Sequence, residues 1–131
     1  MGTGRGRVSV KLKGDDALIT INAATTQTRI LKKLIANLIR AETHKVRPAY
    51  TPFEVRIWTS VLADKRGYHD VDNVAKAVLD ALSGIFWQDD RQVQRLISER
   101  FEGDANRIVV RVRPLNGPVE PVEFDDGLFD A

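Results

Sequence analysis

Asp70 and Asp72 stand two residues apart in the run Asp70-Val-Asp72-Asn73-Val-Ala-Lys76, and a second acidic pair, Asp89-Asp90, follows one short helix later. In an extended segment, residues i and i+2 direct their side chains to the same side. Two carboxylates held that way repel unless a cation lies between them. Mg²⁺ suits such a place, because it takes hard carboxylate oxygens and keeps waters for a phosphate or a nucleophile. A third carboxylate, from Asp89 or Asp90, would complete one or two metal positions. Lys76 lies one turn after Asp72 and one turn before Asp80. It serves either a helix-surface ion pair, worth about 0.3–0.5 kcal/mol, or a cation beside the metal that meets charge building on a scissile phosphate. A helix starting at this point adds backbone N–H groups that favour an anion. Each feature has a plain structural alternative: Asp72 as a helix cap, and Asp89-Asp90 as a turn. The chemical reading gains its weight from two acid clusters flanking one helix.

Other catalytic constellations are missing or weak. The chain has no cysteine, which excludes disulfides, thiolate zinc sites and a cysteine nucleophile. His44 and His69 are the only histidines. His69 adjoins Asp70 and reads as a solvated loop residue before it reads as a metal ligand. No Ser/His/Asp arrangement has a recognisable local signature. Trp58 and Trp87 read as core residues rather than platforms for bases.

The 131 residues suffice for one domain with one sizeable core. Charge is unevenly spread. Residues 1–69 carry thirteen bases and five acids, net +8; residues 70–113 carry −1; residues 114–131 carry five acids and no base. A basic first half suits a polyanionic partner, since Lys and Arg displace counterions from phosphates. No apolar run approaches a membrane span, and the first residues lack a signal-type apolar stretch, so the expected location is the cytoplasm.

The elements that must position the acids follow from periodicity. Val8, Val10 and Leu12 alternate with polar residues as a strand, Gly14-Asp15-Asp16 is a turn, and residues 17–21 form a second strand of a hairpin. Thr25 or Thr26 can cap a helix whose apolar stripe is Ile30, Leu31, Leu34, Ile35, Leu38 and Ile39. Its basic residues Arg29, Lys32, Lys33 and Arg40 fall mainly off that stripe. Residues 43–52 are a loop with Pro48 and Pro52, and residues 53–62 are the clearest strand. After the charged loop 64–69, Asp72 or Asn73 can cap a helix burying Val74, Val78, Ala81, Leu82 and Ile85, stopped near Gly84. Strands around 91–101 and 108–113 follow. The order β-β-α-β-α-β-β predicts an α+β domain of two layers, helices against a mixed sheet, over residues 1–113. Residues 114–131, with three prolines and no periodicity, read as a mobile acidic tail.

The segment Asp70–Lys76, then Asp80-Ala-Leu82, then Phe86-Trp87-Gln88-Asp89-Asp90-Arg91-Gln92-Val93, resembles the RusA-type Holliday junction resolvases. The resemblance covers residues 53–113, and the basic pair Lys65-Arg66 ahead of the motif fits it. The first third departs, with Asn22 the one remnant of the family's opening Pro-Pro-Ser-x-Asn stretch. The spacing from Asp80 to the acid pair is one or two residues short. The resemblance implies a homodimeric, Mg²⁺-dependent endodeoxyribonuclease that cuts four-way DNA junctions symmetrically in recombination and repair. By motif position its metal ligands are Asp70, Asp72 and Asp90, with Asp89 a secondary candidate, Lys76 the catalytic cation, and Mn²⁺ a substitute metal. Lys65, Arg66, Asn73, Arg29, Lys32 and Lys33 are the candidate DNA contacts. Two nicks related by a two-fold axis need two sites related the same way, which a C2 dimer supplies. Two other readings compete: a catalytically silent module that binds branched nucleic acid, and a flap or fork nuclease of the same fold.

Overall fold

The structure is a computed structural model and describes residues 8–22, 28–42, 48–62 and 70–131. The expected elements appear in the expected order: β1 (Val8–Lys13), β2 (Asp16–Ile21), α1 (Thr28–Glu42), β3 (Phe53–Leu62), α2 (Val71–Leu82), β4 (Val93–Gly103) and β5 (Arg107–Pro114). Gly14 turns the first hairpin at φ +61°, a conformation that glycine adopts without steric cost. The caps proposed at Thr25 and Thr26, the basic pair Lys65-Arg66, and both histidines lie outside the described residues.

The five strands form one mixed sheet in the order β1-β2-β5-β3-β4. β3 and β4 are parallel, joined through α2 as a β-α-β unit, while the other pairs are antiparallel. The last two strands are therefore not neighbours, because β3 lies between them. Their short connection wraps the end of β3. There Ser60 Oγ donates to the Ala105 carbonyl at 2.7 Å, and Asn106 Oδ1 accepts from the Leu62 N–H at 3.1 Å. A Cβ on Gly103 would collide with Ser60 Oγ, so a larger residue there would have to turn this hydroxyl away from the Ala105 carbonyl.

Both helices cover one face of the sheet and touch each other. Alternation puts Val55, Ile57 and Val61 of β3 and Ile108, Val110 and Val112 of β5 in the core, where they meet Leu31 and Ile35 of α1 and Val74, Val78, Ala81 and Leu82 of α2. Ile30, expected in the α1 stripe, is 42% exposed, because the face that reaches the sheet is the narrower i, i+4 line through Leu31 and Ile35. Trp58 also departs from expectation. It projects from the uncovered face, half-buried, with the guanidinium groups of Arg56 and Arg111 at 4.9 and 5.9 Å from its ring centre. Trp87 is the buried tryptophan, fully enclosed and tilted against Phe53 at 5.5 Å between ring centres.

On the uncovered face, Glu54 is buried among arginines. Its carboxylate accepts from Arg95 and Arg111, each at 2.9 Å. The Arg95 hydrogen bond, opposed by burial and reinforced by Arg111, holds the Glu54 carboxyl below the usual carboxylate range. Beyond Pro114 the acidic segment is pinned at two points, Leu115 N–H to the Pro52 carbonyl at 2.8 Å and Val119 N–H to Gln94 Oε1 at 2.8 Å. It ends in a 3-10 turn, Asp126–Asp130, capped by Asp125. Phe124 and Phe129 are each 90% exposed. No described helix is long and apolar enough to cross a membrane.

Candidate active site

α2 begins where the acids begin. Val74 N–H bonds the Asp70 carbonyl at 3.0 Å, making Asp70 the N-cap residue and Asp72 part of the first helical turn. The expectation of an extended Asp70-x-Asp72 segment is thus corrected, as is a cap at Asp72 or Asn73. The Asp70 side chain makes no capping bond and is exposed. Asp72 Oδ1 accepts from the Asn73 N–H at 3.0 Å. Ser98 Oγ donates to the Val71 carbonyl at 3.0 Å and fastens the helix start to β4.

From this start one stripe of α2 stays uncovered. Asp72, Lys76 and Asp80, at successive i+4 steps, line a cleft of about 300 Å³ with Ala75 and Leu79; Asp90 and Leu96 form its opposite wall. Its lining mixes apolar Ala75, Leu79 and Leu96 with charged Asp72, Lys76, Asp80 and Asp90. Lys76 is exposed and makes no ion pair with Asp72, Asp80 or any other described acid, so the surface-pair alternative is not realised. Asp80 is the residue that sequence reasoning missed as a site member. Its signal was the i, i+4, i+8 spacing from Asp72 through Lys76.

Asp90 reaches the cleft from a tightly built turn. Trp87 Nε1 donates to Asp90 Oδ1 at 2.9 Å, so a fully buried ring fixes the carboxylate. Gln92 rivets the same turn. Its Oε1 accepts from the N–H groups of Gln88 and Asp89 at 2.8 and 3.0 Å, and its Nε2 donates to the Ala49 and Thr51 carbonyls at 2.7 and 2.9 Å. Asp89 faces elsewhere. It caps the 3-10 turn Asp90–Gln92 and pairs with Arg91 at 3.0 Å. The Arg91 guanidinium holds its carboxyl below the usual range. The two neighbours thus point to different places across the start of the 3-10 turn.

Among the described residues, no three carboxylate or histidine side chains converge as a ready metal cage. The expected meeting of both acid clusters at the helix start is therefore not built: Asp72 and Asp90 face one cleft, and Asp70 is not among its lining residues. The donor chemistry still fits Mg²⁺, which keeps several waters and is typically held by one or two carboxylates plus substrate phosphate. Of the candidate DNA contacts, Asn73 is exposed in the first turn of α2, and Arg29, Lys32 and Lys33 are exposed on α1, the neighbouring helix.

Comparisons with known proteins bear on the family rather than the geometry. A search of curated proteins returns no match. Among solved structures, the OmpA-like domain of FopA1 from Francisella tularensis subsp. tularensis SCHU S4 aligns over 88% of each chain at 15% identity, with a TM-score of 0.34, too low to carry an argument. The family model described as endodeoxyribonuclease RusA matches residues 2–113, including the N-terminal third where the motif resemblance is weakest. With the Asp70–Lys76 helix start and the Trp87–Gln92 turn both inside that match, the chain belongs to the RusA family of endodeoxyribonucleases.

Proposed function

We propose that this chain is a Mg²⁺-dependent endodeoxyribonuclease that resolves four-way DNA junctions in recombination and repair, acting in the cytoplasm as a C2 homodimer. The observation that carries the reading is the cleft that Asp72 and Lys76 of one helix line together with Asp90, with Asp70 at the N-cap of the same helix. Asp72 and Asp90, with Asp70, would hold the metal. When bound, the ion supplies Lewis-acid charge at the phosphate and a water that is more easily deprotonated.

The chain's own residues do the rest. The Trp87 indole keeps one oxygen of Asp90 occupied and the carboxylate oriented toward the cleft. Lys76, unpaired among the described residues, is free to lie against a non-bridging phosphate oxygen and neutralise the charge that grows in the transition state. The α2 N-terminus offers backbone N–H groups to the same phosphate. Arg29, Lys32 and Lys33 on the adjacent helix, with Lys65 and Arg66, would hold the duplex arms. Two such clefts related by a two-fold axis would nick opposing strands symmetrically.

The direct test compares a fixed four-way junction with a flap, a fork and a linear duplex of equal length, all with Mg²⁺. Paired symmetric nicks in the junction, with the duplex left intact, are expected. Equal cutting of flap and junction would move the reading to a general branched-DNA nuclease. Binding without cutting of any substrate would leave a silent binding module.

A further inference from the structure

The turn that delivers Asp90 to the cleft has a second side. Asp89 and Arg91, the two neighbours of Asp90, face a separate pocket of about 330 Å³ completed by Tyr50, Pro52, Gln92 and Gln94. Tyr50 is the unusual member. Its backbone is clamped on both sides: Ala49 N–H donates to the Phe86 carbonyl at 3.0 Å, Gln92 binds the carbonyls of Ala49 and Thr51, and Thr51 Oγ1 donates to the Leu115 carbonyl at 2.8 Å. Yet the Tyr50 residue is 82% exposed. The fold therefore fixes the backbone that carries an aromatic ring which it does not use for packing. Arg91 is comparably presented, with its side chain 90% exposed and its guanidinium held by the Asp89 carboxylate at 3.0 and 3.4 Å.

The charge of the pocket decides what fits. Asp89 offsets Arg91, so no net positive charge is left to draw a phosphate. What remains is an exposed aromatic ring on a clamped backbone, a guanidinium plane, a proline wall and the amide of Gln94: surfaces for a flat, uncharged ring with hydrogen-bonding edges. Unstacked bases are bound on aromatic and guanidinium planes in this way. The cleft next door lies across a single turn of backbone, and neighbouring nucleotides on a strand are about 3.4 Å apart along the helix axis. A base close to the scissile phosphate is therefore within reach, and unpairing costs least where the duplex is already interrupted, as at a branch point.

We propose that the Tyr50–Arg91 pocket receives a nucleobase unstacked from the strand whose phosphate occupies the Asp72–Asp90 cleft, and so sets where that strand is cut. This rests on the nuclease reading. The test places 2-aminopurine at each position flanking the scissile phosphate of a fixed junction, bound by an Asp72→Asn protein carrying either the native Tyr50, Tyr50→Phe or Tyr50→Ala. One position should change its fluorescence on binding when Tyr50 is native or replaced by phenylalanine, and lose that change with Tyr50→Ala. In parallel, Tyr50→Ala in the otherwise wild-type chain should flatten the preference among cutting sites and slow cleavage at the preferred one by about tenfold, while Tyr50→Phe stays within about twofold. Unchanged site preference together with a fluorescence response indifferent to Tyr50 would overturn the proposal. So would an Arg91→Gln variant whose main effect is a shallower salt dependence of binding, which would make the pocket a phosphate contact. Wild-type protein that binds junctions but cuts none would refute the nuclease reading and the cut-setting role with it, while 2-aminopurine stepped along the strands around the crossover would still test base capture by Tyr50.

Discussion

At the scale of single residues, the site depends on how two side chains are held. Asp90 is oriented by the buried Trp87 indole, and Lys76 by nothing but its helix. Trp87→Phe keeps an aromatic ring against Phe53 but removes the N–H. We expect the protein to fold and to bind junction DNA, with cleavage down roughly tenfold, about 1.4 kcal/mol of transition-state stabilisation. Higher Mg²⁺ should restore part of the rate, which a purely structural loss would not allow. Lys76→Ala removes no hydrogen bond or ion pair among the described residues, so its melting temperature should match wild type while cleavage falls at least tenfold, again about 1.4 kcal/mol. Unchanged activity per folded molecule would return Lys76 to the solvated surface. Asp89→Asn should be far milder than Asp90→Asn in the same assay, because Asp89 is spent on its cap and on Arg91.

At the scale of elements, strands and helices are legible in the sequence because their patterns are periodic: β3 begins and ends at the expected residues, and α2 buries Val74, Val78, Ala81 and Leu82 as read. What periodicity does not convey is which strands pair. The sequence marks strands around 91–101 and 108–113, the second by its alternation, but nothing local says that β3 inserts between them. The start of α2 falls earlier than the pattern suggests, since an Asp-x-Asp segment fits both an extended run and a helix start, and the hydrogen bond to the Asp70 carbonyl decides it. The role of Gln92 is invisible in the sequence for a similar reason, its partners at residues 49 and 51 being far away along the chain. Glu54 is the buried acid that ties three strands through Arg95 and Arg111. Its carboxyl is depressed when folded, so its stabilisation is present in full above the ordinary carboxylate pKa, about 4.3, and is lost as pH falls through the lower folded value. Glu54→Gln should therefore cost about 1–3 kcal/mol at neutral pH, with the gap from wild type closing below about pH 4. A gap that stays constant into strong acid would contradict this account of the cluster.

At the scale of the whole molecule, charge is segregated: a basic first half, a nearly neutral centre that holds the acids, and a tail with five acids and no base. The tail acids make no ion pair with the body among the described residues, so its charge remains available to compete with DNA. Deleting residues 117–131 should tighten junction binding at low salt, with the gain vanishing at high salt as the attraction is screened. Equal affinity across the salt range would remove the tail from DNA binding. The central claim is that the cleft carboxylates cut DNA through a divalent metal while the basic surface binds it, and one paired measurement on a fixed four-way junction tests it most directly: Mg²⁺-dependent cleavage and metal-free binding, for wild type and Asp72→Asn side by side. The account predicts cleavage that appears only with Mg²⁺ and falls at least a hundredfold in Asp72→Asn, about 2.7 kcal/mol, with binding as tight as wild type or tighter because a carboxylate no longer opposes the phosphate. Cleavage by Asp72→Asn at the wild-type rate, or wild-type cleavage that persists in a metal chelator, would contradict it.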